Sequence, residues 1–158
     1  MHEFAMQIRY CFERLKSENF DITESAEAIA GCAFPHGWCD MSSCVLAAQA
    51  SRFFGSTDIN LVTGRINGQC HVWIKVRTWD IDITSDQFDW FSNSVVIKKC
   101  SKIHIKHFPD PIIEPFVSRT PYALELERII LELDFVIRAM MNDWITNQYL
   151  IRASKSSD

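Results

Sequence analysis

The spacing of apolar residues along this chain changes period twice. Between residues 3 and 17, Phe4, Ile8, Cys11, Phe12 and Leu15 recur every three or four positions, the period of a helix with one buried face. Asp21 to Gly31 predicts a second, short helix, with Asp21 as N-cap, Glu24 completing a capping box and Gly31 ending it. Cys32 to Trp38 contains Pro35 and Gly37, so the chain must turn there. A third helix is expected from about Cys39 to Phe54, with Met41, Val45, Ala48 and Phe53 or Phe54 on its apolar face and Gly55 after it.

Beyond Gly55 the period shortens to two. Asn60 to Gly64 predicts a short apolar strand and Asn67-Gly68 a tight turn. His71 to Val76 and Trp79 to Thr84 predict a hairpin about Arg77-Thr78, and Val95–Ile97 and Ile103–Ile105 are weaker strands. Pro109, Pro111, Pro115 and Pro121 then punctuate a linker, residues 109–120, in which neither a helix nor a central strand can persist.

The helical period returns from Thr120, as N-cap, and Pro121, at the first helical position, to about Ile151. Leu126, Ile129, Ile130, Leu133, Val136, Ile137, Met140, Met141 and Trp144 form one broad stripe. Packing on the core accounts for such a stripe; part of it would also suit a second copy of the chain or a partner protein. Ala153 to Asp158 reads as a disordered tail. The pattern therefore predicts one α+β domain over residues 1–158. Its core is 21–108, helices pack on a small antiparallel sheet, and a long helix at 121–151 closes it.

With 158 residues the chain can bury roughly 68–70 % of its unfolded surface. A net charge of -4 argues against nucleic acid or an anionic membrane as partner. Six cysteines would permit disulfides in a secreted protein, but Met1 to Arg9 lacks the basic and apolar regions of a leader. No apolar run reaches the ~18 residues of a membrane span. A cytoplasmic setting with reduced thiols is the expectation. A toxin exported without a leader fits the same sequence.

Chemistry concentrates between Phe34 and Phe88. Cys39 stands where the turn at Gly37 hands the chain to a helix, so its sulfur can lie over the positive end of the helix dipole. The first-turn N–H groups can face a developing oxyanion. Gly37 beside it leaves room for a substrate backbone. If Arg77-Thr78 is a two-residue turn, His71 pairs with Thr84, and residues 71, 73 and 75 share a face with 80, 82 and 84. His71 and Asp82 then lie diagonally within hydrogen-bond reach, while Asp80, nearer the turn, is the weaker partner.

Together these residues resemble the papain-like and transglutaminase-like thiol superfamily. A cysteine opens a helix, His71-Val72-Trp73 lies on a strand, and Asp82-Ile83-Thr84 lies on the next. The string Ile81-Asp82-Ile83-Thr84-Ser85-Asp86-Gln87-Phe88 resembles small bacterial members of that group. The resemblance covers residues 34 to 88. It implies Cys39 as nucleophile, His71 as base and Asp82 as the group that orients the base. Such enzymes supply an oxyanion donor, commonly Gln, from upstream of the cysteine. No Gln stands between Gln7 and Cys39, which leaves His36, Gln69 or Gln87 for that role.

Each residue also has a plainer reading. Cys39 and Cys44 fit buried core thiols, His71 a core histidine, Asp82 a turn cap, and Trp73 and Trp79 core or cleft walls. Asp86 and Gln87 fit residues that steady the following loop. Zinc on Cys39, Cys44, Cys70 and His71 lacks a CxxC knuckle. His104 and His107 are expected to face solvent. No cofactor or metal is expected.

The function expected is a thiol hydrolase of an amide bond in a protein or peptide: a peptidase, isopeptidase or glutamine deamidase. A transglutaminase-like acyltransferase and an inactive papain-fold binding module are the alternatives.

Overall fold

The computed structural model describes residues 1–18, 20–55, 58–116 and 124–155, the side chains of 124–125 and 148–155 excepted. Three helices come first: α1 (His2–Ser17), α2 (Asp21–Ala30) and α3 (Cys39–Phe54). Strands β1 (Ile59–Ile66), β2 (Gln69–Val76), β3 (Trp79–Asp82) and β4 (Val96–Lys99) follow. A short helix α4 (Lys102–His107), strand β5 (Ile112–Pro115) and the long helix α5 (Leu124–Lys155) complete the chain. The five strands form one sheet in the order β4-β3-β2-β1-β5, and every pair is antiparallel. The fold is α+β.

Alternation along the strands splits the interior in two. Leu61, Val72, Ile74, Val76 and Ile81 turn to the helical side, where they join Ile8, Phe12, Val45, Leu46, Ile129, Leu133 and Ile137 in the main core. Val62, Trp73 and Val96 turn to the other side and meet Phe88, Phe91 and Phe108. Each such aliphatic or aromatic side chain removed from water stabilises the fold by about 1.5–3 kcal/mol. The second, smaller core is the one the sequence did not announce. The segment after β3 and helix α4 cover the sheet face that carries His71.

Most predicted boundaries coincide with the observed ones, and the differences have local causes. α2 begins with Asp21 already helical and Phe20 as N-cap, without a side-chain cap bond. Asp21 and Glu24 therefore act as first-turn charges on the helix dipole and not as a capping box. α3 buries Ser42, Ser43, Cys44, Ala47, Gln49 and Ala50 beside its apolar residues, whereas Phe53 and Phe54 are partly exposed and pack on Phe4. The predicted strand Ile103–Ile105 is α4 instead. It folds as a helix because Ser101 ends the extended run and its N–H is held by Asp80 Oδ2 at 2.7 Å.

The linker also contains a strand. β5 pairs with β1 from Thr63↔Ile112 to Asn60↔Pro115 at the edge of the sheet, where proline is tolerated. The helical period of the C-terminal third holds: Ile129, Leu133, Ile137 and Met141 are buried against the core, so the stripe is largely spent within the chain. Leu131 and Phe135, outside that stripe, are exposed and line a groove of about 520 Å³ with Phe20 and Ile22. α5 continues through Lys155, into the stretch expected to be disordered. The expected cap at Thr120-Pro121 and the last three residues lie outside the described residues. Among the described residues no helix is long and apolar enough to cross a membrane.

Candidate active site

Two tight turns set the register that builds the site. Asn67 and Gly68 both have positive φ, +50° and +79°, as a hairpin turn between β1 and β2 requires. Arg77-Thr78 closes the next hairpin with Val76↔Trp79, Lys75↔Asp80 and Ile74↔Ile81 paired. That is the register expected from a two-residue turn, and it leaves residues 71 and 82 on one face and diagonal to each other. The consequence is a direct contact: His71 Nε2 lies 2.6 Å from Asp82 Oδ2. The same diagonal recurs two residues along, where Trp73 Nε1 donates to Asp80 Oδ1 at 3.1 Å. Asp80 therefore holds Trp73 and the start of α4, and does not orient His71.

Asp82 is surrounded by donors. Thr84 N–H donates to Oδ1 at 2.9 Å and the Thr84 hydroxyl reaches the same oxygen at 3.3 Å. His104 Nε2 lies 3.0 Å from Oδ2, the oxygen that His71 uses. Burial alone would raise the Asp82 carboxyl, but the charge on His71 and hydrogen bonds from His104 and His71 hold it well below the usual range. For His71, burial favours the neutral ring. The Asp82 charge and hydrogen bond, with a lesser contribution from Cys39, outweigh it and raise the group from 6.5 to about 9.

Cys39 is the first residue of α3 and is 7 % exposed. Its sulfur is close enough to His71 to favour the protonated ring, as hydrogen-bond partner and as charge. Because Nε2 is occupied by Asp82, the nitrogen left for the thiol is Nδ1. Gln87 competes for it: its Nε2 donates to Thr84 O at 3.0 Å and lies 3.0 Å from Nδ1, a contact that suits a neutral ring. A full carboxylate charge at 2.6 Å in a buried setting outweighs one neutral amide donor. The imidazolium form is therefore favoured, with the Gln87 amide still beside Nδ1.

Cys39, His71, Asp82 and Gln87 thus come together, while the remaining expected contributors lie elsewhere. His36 is exposed in the turn before α3, where its carbonyl accepts from Cys32. Gly37 has φ +72°, and a Cβ there would meet Ala30 O at 2.7 Å, so its small size serves the turn itself. Gln69 is exposed at the start of β2. Trp73 is buried, 4.6 Å from the His104 ring, and forms an inner wall with no face open to a substrate; Trp79 is 40 % exposed. Cys44 is buried one turn further along α3.

His104 is the residue the sequence reading misplaced. Expected in solvent, it is buried, because α4 is a helix and turns it inward beneath Trp73 and Phe91. The signal was weak: a histidine three residues after a serine in an otherwise ambiguous stretch. Among the described residues, His71, Asp82 and His104 also have ligand atoms that all lie within 4.8 Å of one another, the donor set of a two-histidine, one-carboxylate metal site. Their N–O separations of 2.6 and 3.0 Å are those of hydrogen bonds, with protons on the nitrogens that a metal would need free. Cys44 and Cys70 do not join that group.

Comparison with protein-family models, with curated proteins and with solved structures gives no match, so geometry alone carries the reading of this site.

Proposed function

We propose that this protein is a thiol enzyme with a papain-like or transglutaminase-like core, acting on an amide bond of a protein or peptide. Cys39 is the nucleophile, His71 the acid–base group and Asp82 the residue that orients it. One observation carries the reading: a buried imidazole is held through Nε2 by an ionised carboxylate, and a cysteine at a helix N-terminus interacts with the same ring. The Cys39 thiolate attacks the carbonyl carbon, and the first-turn N–H groups of α3, which have no intrahelical acceptor, face the oxyanion. The His71 Nδ1 proton passes to the leaving nitrogen as the C–N bond breaks, leaving a thioester. Water resolves it in a hydrolase and a second amine in an acyltransferase.

Burial of the pair, 7 % for Cys39 and 0 % for His71, favours a second reading. In that reading the fold keeps the network as a binding module and does not turn over substrate. Iodoacetamide alkylation against pH, located by mass spectrometry, separates the two. Location matters because Cys32, Cys70 and Cys100 are exposed to the reagent, whereas burial pushes the Cys11 thiol up to about 11. The thiol reading requires Cys39 to react at neutral pH with an apparent midpoint well below 8.5, and to lose this in His71→Ala. A Cys39 that stays inert, or titrates as a free thiol, overturns the thiol reading and moves the binding module to the front.

A further inference from the structure

Oδ2 of Asp82 receives a second imidazole that the proposed chemistry does not use. The two histidine rings are nearly parallel, 6° apart with centroids at 6.3 Å, and both present Nε2 to the same oxygen. His104 is itself held from behind: its Nδ1 lies 2.7 Å from Ser101 Oγ. Ser101 is in turn fixed by its backbone N–H on Asp80 Oδ2. With the Ser101 hydroxyl donating to Nδ1, the ring proton sits on Nε2 and is donated to Asp82. A chain of donors thus runs from Ser101 through His104 to the carboxylate that holds His71.

We propose that His104 is a positioning residue of this site, which shares Oδ2 with His71 and limits how firmly Asp82 holds the His71 proton. The proposal rests on the reading of His71 as the acid–base group. An oxygen that accepts two charge-assisted bonds offers less to each than one that accepts a single bond. A His71 bound to an unshared carboxylate would keep its proton too tightly to return it to a leaving amine. Among the described residues, the charged and titratable groups around the pair are Cys39 from α3, Lys75 and Asp80 from the strands, and His104 from α4.

The test is an NMR titration of the His71 ring in the full chain, run beside Cys39 alkylation by iodoacetamide. In His104→Leu, which removes the donor, the His71 midpoint should move up by about half a pH unit or more, a fraction of one charge-assisted bond. His104→Gln, whose amide N–H replaces the Nε2 donor, should return it to the wild-type value. Ser101→Ala, which spares the backbone bond to Asp80 and the packing of the ring, should move it in the same direction by less, and it serves if His104→Leu does not fold. A midpoint that stays put or falls toward 6.5 in these variants reduces His104 to packing and overturns the proposal. The alkylation arm is independent. If wild-type Cys39 is unreactive, the thiol reading falls and takes this role with it, even where the midpoint has moved.

Discussion

Asp82 gathers four donors on two oxygens, and its charge governs the pH behaviour of the molecule. Its carboxyl lies lower in the fold than in the unfolded chain, so its contribution to stability is present above about pH 4. It is lost as pH falls through the lower, folded value. His71 works in the other direction: raised from 6.5 to about 9, it contributes fully below pH 6.5 and loses that contribution as pH rises to 9. Urea unfolding should therefore show stability falling by on the order of 2 kcal/mol between pH 6.5 and 9. Asp82→Asn should abolish that slope and cost on the order of 3 kcal/mol at pH 7, because both histidines lose their buried anion. Cys39 alkylation at pH 7 should slow at least about tenfold in the same variant. An unchanged slope would mean that Asp82 does not hold the His71 proton.

At the scale of elements, the small core behind the sheet keeps the two histidines in place. Phe108, fully buried, packs 5.4 Å from the His71 ring and also seats against Gly64 of β1. A Cβ at residue 64 would come within 2.5 Å of Phe108 Cβ and 2.6 Å of its Cγ, and the buried ring has no free end to swing away. Gly64→Ala should thus destabilise the protein by about 1–3 kcal/mol, read as a lower urea midpoint with unchanged slope, and should broaden or shift the His71 ring resonances. A stability equal to wild type would show that Phe108 can yield. The sequence pattern placed Gly64 at the end of the predicted strand, whereas the observed β1 runs on to Ile66. Only the return of the chain after α4 gives the glycine a reason.

At the scale of the whole molecule, Arg9 of α1 ties together the segments on either side of the site. Its guanidinium donates to Ile83 O at 2.8 Å and forms a two-pronged pair with Asp86 at 2.9 Å, just after β3. It also lies 4.5 Å over the Phe34 ring in the turn that leads to Cys39, and Phe12 stacks on the same ring at 5.3 Å. The Cys39 turn and the Asp82–Gln87 segment are therefore set against one common support. Arg9→Leu keeps the bulk of the stem but loses these bonds, and should cost about 2–4 kcal/mol in chemical denaturation. Cys39 alkylation should lose its pH profile in proportion. A variant that is destabilised yet keeps the profile would show that the sheet alone positions the pair.

The residues that sequence alone determined are those whose placement follows from local rules. The sequence left a two-residue turn or a four-residue loop open at Arg77-Thr78, and the structure selects the two-residue turn. The period of two puts His71 and Asp82 on one face, and the turn at Gly37 makes Cys39 the first residue of a helix. Helices α1, α2, α3 and α5 follow from apolar spacing in the same way. Tertiary structure decided everything that depends on non-local contact: that α4 is a helix, that His104 and Arg9 are buried, that Gln87 reaches Nδ1, and that Trp73 is an inner wall. The physical reason is common to these cases. A short segment with mixed periodicity takes its conformation from what it packs against, and a polar side chain is buried only where distant parts of the chain supply its partners.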